Sequence, residues 1–456
     1  MILKFINRER ELKILEEAYH QERAGFLPVY GRRRVGKTEL IKHFIKDKAH
    51  FYFLAKKRDA ALELDRFRLK FSEEFNVFLP ESKTWDELFE NIFKQIKEKL
   101  IIVIDEFPFW IEKDPAIISD FQHLWDETLK KKNIFVILCG SSVSIMETDV
   151  LGYKSPLYGR RTGQLEVTKL NFAEFSKFFP KWGIEDKIKA YGALDGIPFY
   201  IQEFDQDKNF FGNVIDTFWK SGSILSKEVE FLLSQELREV EVYLSILRNI
   251  FEGASTLGEI ASKSNVDITN INKYLRVLID LRYITTETPV SIEKPKRKNF
   301  VYKLTDNFFS FWFNYVYPYR DDIEIGEIKR LEAAFRKDYD RYLGYVFEDI
   351  CKQQLRSLKL PIKPTKIGRW WYKEDEIDIL CLDETTKDHK EALFIECKWK
   401  ELDEKSVLAI IEKLKEKSKL VALKRKKEYF GLIAKKLDGK ERLRNAGYMV
   451  FDTRDF

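Results

Sequence analysis

The sequence predicts a multidomain α/β protein, and three observations support this fold class. The chain has 456 residues, more than one hydrophobic core accommodates, so we expect two to four domains. Residues 1–170 contain continuous apolar runs and segments with apolar residues at helical spacing, the pattern of a parallel sheet covered by helices. Residues 236–305 are mainly helical in pattern, and residues 341–456 mix strand and helix patterns again, which predicts separate domains.

Charge and cysteine content argue against several classes of protein. Lys and Arg (80) exceed Asp and Glu (75) only slightly, so no overall field dictates a nucleic-acid partner. The four cysteines show no CxxC spacing and only five histidines are present, which argues against zinc and is typical of buried thiols in a reducing compartment. We find no apolar signal region and no run of 18 apolar residues, so we expect a soluble, cytoplasmic protein without a membrane partner.

A glycine-rich motif lies between an apolar run, residues 27–30, and a helix-patterned segment, residues 39–45. The motif has the form GxxxxGK[ST] and consists of Gly31, Arg32, Arg33, Arg34, Val35, Gly36, Lys37 and Thr38. Backbone N–H groups of such a P-loop, together with the helix N-terminus, surround phosphates, so we expect ATP as the ligand. Lys37 is expected to reach the β- and γ-phosphates, and the Thr38 hydroxyl to ligate Mg²⁺.

Two acidic residues follow a second apolar run. Residues 100–104 predict a strand that is buried on both faces, and Asp105 and Glu106 come directly after it. In a P-loop protein, Asp105 is placed to hold the Mg²⁺ shell, and Glu106 to orient and deprotonate the attacking water. These roles predict that the chain hydrolyses ATP as well as binding it.

Three further polar residues are candidates for sensing the γ-phosphate. Residues 134–139 predict another strand, which ends close to Ser141. The Ser141 hydroxyl is placed either to sense the γ-phosphate or to cap a turn and helix. Arg160 and Arg161 are each able to supply positive charge to the γ-phosphate, within the chain or across the interface of a homo-oligomer.

Several of these motifs together resemble the archaeal-type ATPases within the STAND/AAA-like branch of P-loop proteins. The motifs are residues 5–12, the GRRR form of the P-loop, and residues 104–107, 140–142, 157–160 and 196–198. The resemblance covers about residues 1–235 and implies a P-loop ATPase core (1–170) followed by a helical lid (171–235). It also implies that Asn7 and Arg8 lie near the adenine.

Residues 236–305 predict a winged helix. Three helical faces are followed by two strand-like runs, with a basic stretch between the strands that contains Lys294, Lys296, Arg297 and Lys298. Polar side chains on the third helix suit base edges and the basic stretch suits phosphates, so DNA contact is one interpretation. The other interpretation is a rigid connector between domains. The aromatic-rich connector, residues 306–340, is expected to pack this module onto the domain that follows.

The last predicted domain, residues 341–456, places acids on two adjacent apolar strands. Asp378 lies on one strand and Glu396 on the other, and Lys398 shares a face with Glu396 because side chains along a strand repeat every two residues. Converging carboxylates in apolar surroundings are costly unless a cation compensates them. Mg²⁺ prefers oxygen ligands, so we expect Asp378 and Glu396 to bind it and Lys398 to act on the nucleophile or the developing charge.

This strand pair resembles the PD-(D/E)XK nuclease superfamily, which has a restriction-endonuclease-like α/β fold. The resemblance implies that Glu348, on the first helix of the domain, is the further acid that the superfamily carries there. The aromatic-rich segment with Trp370 and Trp371 resembles the form of this nuclease-like domain that is found at the C-terminus of the archaeal ATPases. One position departs from the superfamily name, because Ile377 stands where a proline would precede Asp378.

The leading hypothesis is an ATP-binding and ATP-hydrolysing protein that acts on DNA through an ATP-regulated, Mg²⁺-dependent nuclease domain. One alternative is a STAND-like switch, in which the ATP state changes oligomerisation and the C-terminal domain serves interaction. Another is a DNA-binding ATPase without cleavage. The presence of all four residues, Glu348, Asp378, Glu396 and Lys398, favours the first hypothesis, because a decayed site would usually have lost one of them.

Overall fold

The computed structural model describes residue 6 and residues 8–292, 300–385 and 391–456. The chain divides into two compact units, of which one comprises Met1–Lys169 with Ile197–Phe199. The other comprises Leu170–Gly196 with Tyr200–Phe456. Asn7 and the basic stretch predicted as a wing, with Lys294, Lys296, Arg297 and Lys298, lie outside the described residues.

The first unit is a five-stranded sheet with helices between its strands. Its helices are α1 (Glu9–Tyr19), α2 (Lys37–Ile45), α3 (Ala60–Phe75), α4 (Trp85–Gln95), α5 (Pro108–Lys113), α6 (Ile117–Glu127) and α7 (Val143–Ile145). Its strands are β1 (Gly25–Tyr30), β2 (His50–Leu54), β3 (Leu100–Asp105), β4 (Ile134–Gly140) and β5 (Leu165–Glu166). The strand order is β2-β3-β4-β1-β5, and all neighbouring pairs are parallel.

The three central strands of this sheet are buried along their whole length. Every residue of β1, β3 and β4 is buried, which explains why these strands are continuous apolar runs in the sequence. Because the strands are parallel, their carboxyl ends meet at one edge, where Tyr30 pairs with Gly140 and Leu54 with Asp105. Helices with one apolar face, such as α4 and α6, cover the sheet, and these two pack in one hydrophobic cluster with residues of its strands.

The second unit begins with short helices and a helical segment followed by a two-stranded sheet. The elements are α8 (Phe172–Ser176), α9 (Ile184–Leu194), α10 (Pro198–Ile201, which begins in the first unit), α11 (Phe210–Val214), α12 (Glu228–Glu236), α13 (Val240–Phe251), α14 (Leu257–Lys263), α15 (Ile271–Asp280), β6 (Ile284–Glu287) and β7 (Val301–Leu304). Strands β6 and β7 are antiparallel. A capping box, in which the Thr256 and Glu259 side chains exchange hydrogen bonds with each other's backbone, fixes the start of α14.

The rest of the second unit is a mixed sheet packed against helices. The elements are α16 (Asn307–Tyr315), α17 (Arg320–Glu324), α18 (Lys329–Gln354), β8 (Lys366–Tyr372), β9 (Asp375–Asp383), β10 (Glu391–Leu402), α19 (Glu404–Lys419), β11 (Lys427–Leu437), α20 (Lys440–Asn445) and β12 (Met449–Asp452). The strand order is β12-β11-β10-β9-β8. β8, β9 and β10 pair antiparallel, whereas β10, β11 and β12 pair parallel.

Helix α18 is longer than the sequence pattern alone indicates. It begins at Lys329, ahead of the boundary predicted after residue 340, because aromatic residues extend its buried face towards the N-terminus. Phe335 and Tyr339 stack on each other there, and both contact Phe311 of the aromatic segment α16. These contacts lie within residues 306–340, and the role of that segment in packing the winged helix onto the domain that follows stays a prediction.

Two smaller expectations concern cysteines and membranes. Cys139, Cys351, Cys381 and Cys397 are all buried free thiols. Among the helices of the described ranges, we find none with the length and apolar character needed to span a bilayer.

Candidate functional sites

The glycine-rich motif lies at the carboxyl end of β1 and leads into α2, which begins at Lys37. Gly31 has no room for a side chain, because a Cβ there would lie 2.2 Å from the Val167 carbonyl oxygen. Gly36 has a φ of 89°, a left-handed conformation, directly before the first turn of α2. The glycines thus bend the backbone around the helix N-terminus, the arrangement that binds phosphate groups.

Lys37 is buried at this edge of the sheet, with 5% of its surface exposed. Its Nζ donates to the carbonyl oxygens of Gly31 and Arg32, both at 2.8 Å. Burial lowers the pKa of the Lys37 ammonium, although the nearby Asp105 and Glu106 carboxylates act in the opposite direction. The nearby carboxylates thus offset only part of the cost of burying the Lys37 charge, and the ammonium lies against the backbone of the glycine-rich loop.

Thr38 and Asp105, the two residues predicted to hold Mg²⁺ in this unit, are in direct contact. Thr38 Oγ1 donates to Asp105 Oδ2 at 2.8 Å, and Asp105 is 2% exposed. The same Asp105 oxygen accepts a hydrogen bond from Tyr52, a residue of β2 that the sequence did not indicate. Burial and the adjacent Asp105 carboxylate raise the pKa of Tyr52, so its hydroxyl stays protonated and donates.

Glu106 and Ser141 are also brought together. Ser141 Oγ donates to Glu106 Oε1 at 2.6 Å, and the Ser141 backbone N–H donates to Oε2 at 3.3 Å. Glu106 has a φ of 56°, an uncommon value for a residue with a side chain, and its N–H is bound by Asp105 Oδ1. The hydroxyl at the end of β4 thus orients the acid that follows β3.

Other residues contact the glycine-rich loop from distant parts of the chain. The Arg8 guanidinium is buried and donates to the Val35 carbonyl oxygen at 2.8 Å. Arg34 lies over the ring of Phe199 at 3.9 Å. Phe199 directly follows the motif at residues 196–198, so this part of the predicted lid contacts the glycine-rich loop. Arg32 and Arg33 take part in further interactions of their own.

Arg160 does not contact the glycine-rich loop. Its guanidinium donates to Asp126 Oδ2 of α6 at 2.9 and 2.7 Å, and to the Pro156 carbonyl oxygen at 2.6 Å. Arg161 donates to the Leu151 carbonyl oxygen and lies over the ring of Tyr158. Both arginines are therefore held by neighbouring parts of the first unit.

The second site lies on the mixed sheet, where β9 carries Asp378 and β10 carries Glu396. Both carboxylates are buried, with exposed fractions of 8% and 4%. Asp378 Oδ2 accepts a hydrogen bond from the Cys397 backbone N–H at 2.8 Å, which fixes the acid against the neighbouring strand. The structure thus places the two predicted acids side by side.

Two lysines neutralise these acids, and the sequence indicated one of them. Lys398 Nζ donates to Asp378 Oδ2 at 3.2 Å and to Glu396 Oε2 at 2.7 Å. Lys417 reaches Glu396 Oε1 at 2.9 Å from α19 and also donates to the Glu376 carbonyl oxygen. Nothing in the sequence pattern marks Lys417, since it is one of many lysines on an exposed-looking helix.

The two acids of this site have pKa values that are shifted in opposite directions. Burial disfavours the Glu396 carboxylate, but Lys398 and Lys417 outweigh burial and lower the pKa of Glu396. Burial and the Glu396 charge raise the pKa of Asp378, whose ion-pair partner among the described residues is Lys398. Burial would lower the pKa of Lys398, yet the two carboxylates raise it, so Lys398 is firmly protonated.

Glu348 on α18 belongs to the same group of charges. Burial and the Asp378 carboxylate raise the pKa of Glu348 to about 7, while Arg369 of β8 and Lys303 of β7 oppose that rise. No hydrogen bond to Glu348 occurs within the part of the chain that the structure describes. The helix acid implied by resemblance thus interacts electrostatically with Asp378.

The donor set suits a hard divalent cation held mainly through two carboxylates. No group of three His, Cys, Asp or Glu side chains in the described ranges is arranged as a metal cage. Mg²⁺, however, is commonly bound by one or two carboxylates and keeps several waters. Asp378 and Glu396, buried and adjacent, fit that mode of binding, as do Thr38 and Asp105 in the first unit.

Two family models match the chain. Residues 5–204 match an ATPase domain found predominantly in Archaea. Residues 312–410 match a domain described from archaeal and bacterial proteins of unknown function. The first match covers the glycine-rich loop together with Asp105, Glu106 and Ser141, and the chain is a P-loop ATPase.

Similar proteins include a full-length relative. An uncharacterized protein of Methanocaldococcus jannaschii is 39% identical over 459 residues, which is 99% of this chain and 100% of the relative. An uncharacterized ATP-binding protein of the same organism is 49% identical over 47 residues, 10% of this chain and 80% of that protein. A Walker-type ATPase of Pyrococcus abyssi shares the fold, with a TM-score of 0.51 and 20% identity, over 68% of this chain and 96% of that structure. The chain therefore belongs to the same family as the full-length Methanocaldococcus relative, and its residues 5–204 are an ATPase domain of a kind found predominantly in Archaea.

Proposed function

We propose that the C-terminal domain of this ATPase, residues 341–456, is a Mg²⁺-dependent nuclease that acts on DNA and is regulated by ATP. The observation that carries the proposal is the junction of Asp378 and Glu396, two buried carboxylates on adjacent strands that share the Lys398 ammonium. Glu348 interacts electrostatically with Asp378 of this pair. Burying such a group of charges is costly, and a buried ion pair often adds little to the free energy of unfolding. Groups of buried, interacting charges are common at functional sites.

The residues divide the chemistry of phosphodiester hydrolysis between them. When bound, the metal lowers the pKa of a water and shields the scissile phosphate. Asp378 and Glu396 provide its oxygen ligands. Lys398, which is firmly protonated, orients the nucleophile or stabilises negative charge on the phosphate. Lys417 holds Glu396 Oε1 and so positions this acid relative to Asp378.

For the first unit we propose individual roles within ATP hydrolysis. Lys37 binds the β- and γ-phosphates, and Thr38 with Asp105 holds Mg²⁺. Glu106 activates the attacking water, and its hydrogen bond with Ser141 couples the acid to a hydroxyl suited to sensing the γ-phosphate. Arg160 pairs with Asp126, so a catalytic role for Arg160 requires that this ion pair opens.

DNA contact by residues 236–305 is part of the same proposal. Helices α13, α14 and α15 followed by the antiparallel pair β6–β7 have the order of elements of a winged helix. In that interpretation α15 faces the major groove. The side chains available on α15 are Asn272, Lys273 and Arg276.

The test is incubation of the full chain with linear, circular and single-stranded DNA, each with and without Mg²⁺ and ATP. The proposal expects Mg²⁺-dependent cleavage that changes with ATP and is lost in Asp378→Asn. DNA binding without cleavage in every condition would favour a DNA-binding ATPase instead. An ATP-dependent change in oligomeric state, with neither binding nor cleavage of DNA, would favour a signalling switch.

A further inference from the structure

The face of α18 that carries Glu348 is open on both sides of that acid. Tyr345 lies one turn before Glu348, and 70% of its surface is exposed. Lys352 lies one turn after Glu348 and is also exposed. Residues three and four apart are neighbours on a helix surface, so an aromatic ring, a carboxyl group and an ammonium group form one line. In the ranges that the structure describes, Tyr345 has no aromatic or hydrogen-bonding partner.

Cations from two other elements converge on the same acid. Lys303 of β7 and Arg369 of β8 both act electrostatically on Glu348. Among the described residues, the ammonium groups of Lys303 and Lys352 have no hydrogen-bond or ion-pair partner, whereas the Arg369 guanidinium is paired with Glu376. Two lysine charges beside the carboxylate site are thus available to an anionic ligand.

A cleft of about 310 Å³ continues this surface towards the two-stranded sheet β6–β7. Its lining includes Glu287 and three cations, of which Lys366 is paired with Glu384, Arg369 is paired with Glu376, and Lys352 is exposed. The segment after β6 is fixed to the sheet edge, because the Val290 N–H donates to the Arg369 carbonyl oxygen at 3.0 Å. The cleft therefore joins the end of β6 to Arg369 of β8 and to Lys352, which lies one turn after Glu348 on α18.

We propose that this surface binds a single-stranded segment of nucleic acid and presents its phosphodiester to Glu348, Asp378 and Glu396. Lys303 and Lys352 contact phosphates on either side of the reacting one, and the ring of Tyr345 stacks on an adjacent base. The proposal rests on the proposed nuclease function and adds the form of the substrate. Phosphates match the unpaired lysine charges, and an exposed ring is able to stack only on a base that has left the duplex.

The experiment measures binding of the full chain to a labelled single strand and to the duplex of the same length, across a range of salt concentrations. Ca²⁺ replaces Mg²⁺ so that cleavage does not interfere. Lys303→Ala/Lys352→Ala should weaken single-strand binding and reduce the magnitude of its logarithmic salt slope by about 1.4, since each phosphate contact contributes about 0.7. The matched control is Lys405→Ala/Lys413→Ala, which removes two exposed lysines from α19. An unchanged slope, or an equal change in the control, overturns the proposal.

The aromatic contact is tested separately. Tyr345→Ala should weaken single-strand binding about tenfold and leave duplex binding nearly unchanged, because stacking on one base is worth about 1–3 kcal/mol. Tyr345→Phe keeps the ring and should bind like the wild type. If Tyr345→Phe loses as much affinity as Tyr345→Ala, the hydroxyl is responsible and the stacking role is wrong.

Cleavage assays distinguish a failure of this inference from a failure of the proposed nuclease. In one outcome the wild type cleaves DNA, Glu396→Gln does not, and the Lys303, Lys352 and Tyr345 variants bind single strands normally. That outcome retains the nuclease and rejects the strand-binding surface. Loss of single-strand binding in those variants, with no cleavage by the wild type under any condition, retains the surface and rejects the nuclease.

Discussion

The two candidate sites use lysine in opposite ways. Lys37 donates to carbonyl oxygens of its own loop, and burial lowers its pKa. Lys398 donates to two carboxylates, and those carboxylates raise its pKa. In the first site the backbone forms the binding surface and leaves the lysine charge for a phosphate. In the second site the side chains neutralise one another, so each of them supports the position of the others.

This difference predicts how each site responds to substitution. A site built from backbone groups keeps its shape when one side chain is removed, and the variant loses only the function of that side chain. A buried ion-pair network changes as a unit, because removing one partner leaves another charge buried and unpaired. The following predictions compare the two sites on this basis, in order of decreasing effect.

The largest effect is expected in the nucleotide site. Lys37→Ala should abolish nucleotide binding, whereas Glu106→Gln should bind ATP normally and hydrolyse it slower by orders of magnitude, because Glu106 acts only on the attacking water. Nucleotide affinity and single-turnover hydrolysis rates measure the two effects separately. Equal turnover in the wild type and Glu106→Gln would reject Glu106 as the base.

A smaller and less separable effect is expected from the two lysines of the second site. Lys398→Ala should reduce DNA cleavage by about 10²–10⁴, since Lys398 acts on water or phosphate. It should spare Mg²⁺ binding, because the bound cation then compensates the charges of Asp378 and Glu396 in place of the ammonium. Lys417→Ala should weaken both metal binding and cleavage more mildly, because it positions Glu396. Metal-induced thermal shifts and cleavage rates for both variants test this, with Lys413→Ala on the same helix as the control. Identical behaviour of the two lysine variants would contradict the division of roles.

A pH effect is expected from Glu348. Its pKa is about 7 in the folded protein against an ordinary 4.5, so the folded state holds the proton more tightly. The protonated Glu348 therefore contributes up to about 3 kcal/mol to the free energy of unfolding. This contribution is fully present below pH 4.5 and is lost as the pH rises through 7. Without metal, Glu348→Gln should therefore unfold at higher denaturant concentration than the wild type at pH 8. That advantage should shrink towards pH 5, and a difference that does not vary with pH would reject the raised pKa.

The smallest effect is expected from Tyr52. Tyr52→Phe removes a hydrogen bond to Asp105 while Thr38 keeps its own bond to the same oxygen. Net stability should fall by only about 1–2 kcal/mol, with nucleotide binding retained. Chemical denaturation of the wild type and Tyr52→Phe measures the change. A loss of ATP binding as complete as in Lys37→Ala would mean that Tyr52 is essential to the nucleotide site.

Much of the site could be predicted because the signals are local in the sequence. The glycine-rich loop, the acids after β3 and the acids on β9 and β10 each lie within or beside a buried strand, whose apolar pattern is plain. Tyr52 and Lys417 could not be found in this way. They lie 53 and 21 residues from their carboxylate partners, and only tertiary packing brings them together.

Arg160 and α18 show a second limit of sequence patterns. The sequence marks Arg160 as a charge available to a phosphate, but its pairing with Asp126 depends on where α6 packs. The N-terminal part of α18 has an aromatic rather than an aliphatic buried face, so its helical period is hard to distinguish from an aromatic-rich linker. In both cases the missing information is the packing partner.

The central claim is that one chain contains two separate catalytic sites, one for ATP and one for DNA. The most direct test measures ATP hydrolysis and Mg²⁺-dependent DNA cleavage in the wild type, Glu106→Gln and Glu396→Gln. We predict that Glu106→Gln loses ATP hydrolysis and still cleaves DNA in some nucleotide condition, whereas Glu396→Gln loses cleavage and hydrolyses ATP at the wild-type rate. Cleavage that persists undiminished in Glu396→Gln, or that is absent from the wild type in every condition, would contradict the account.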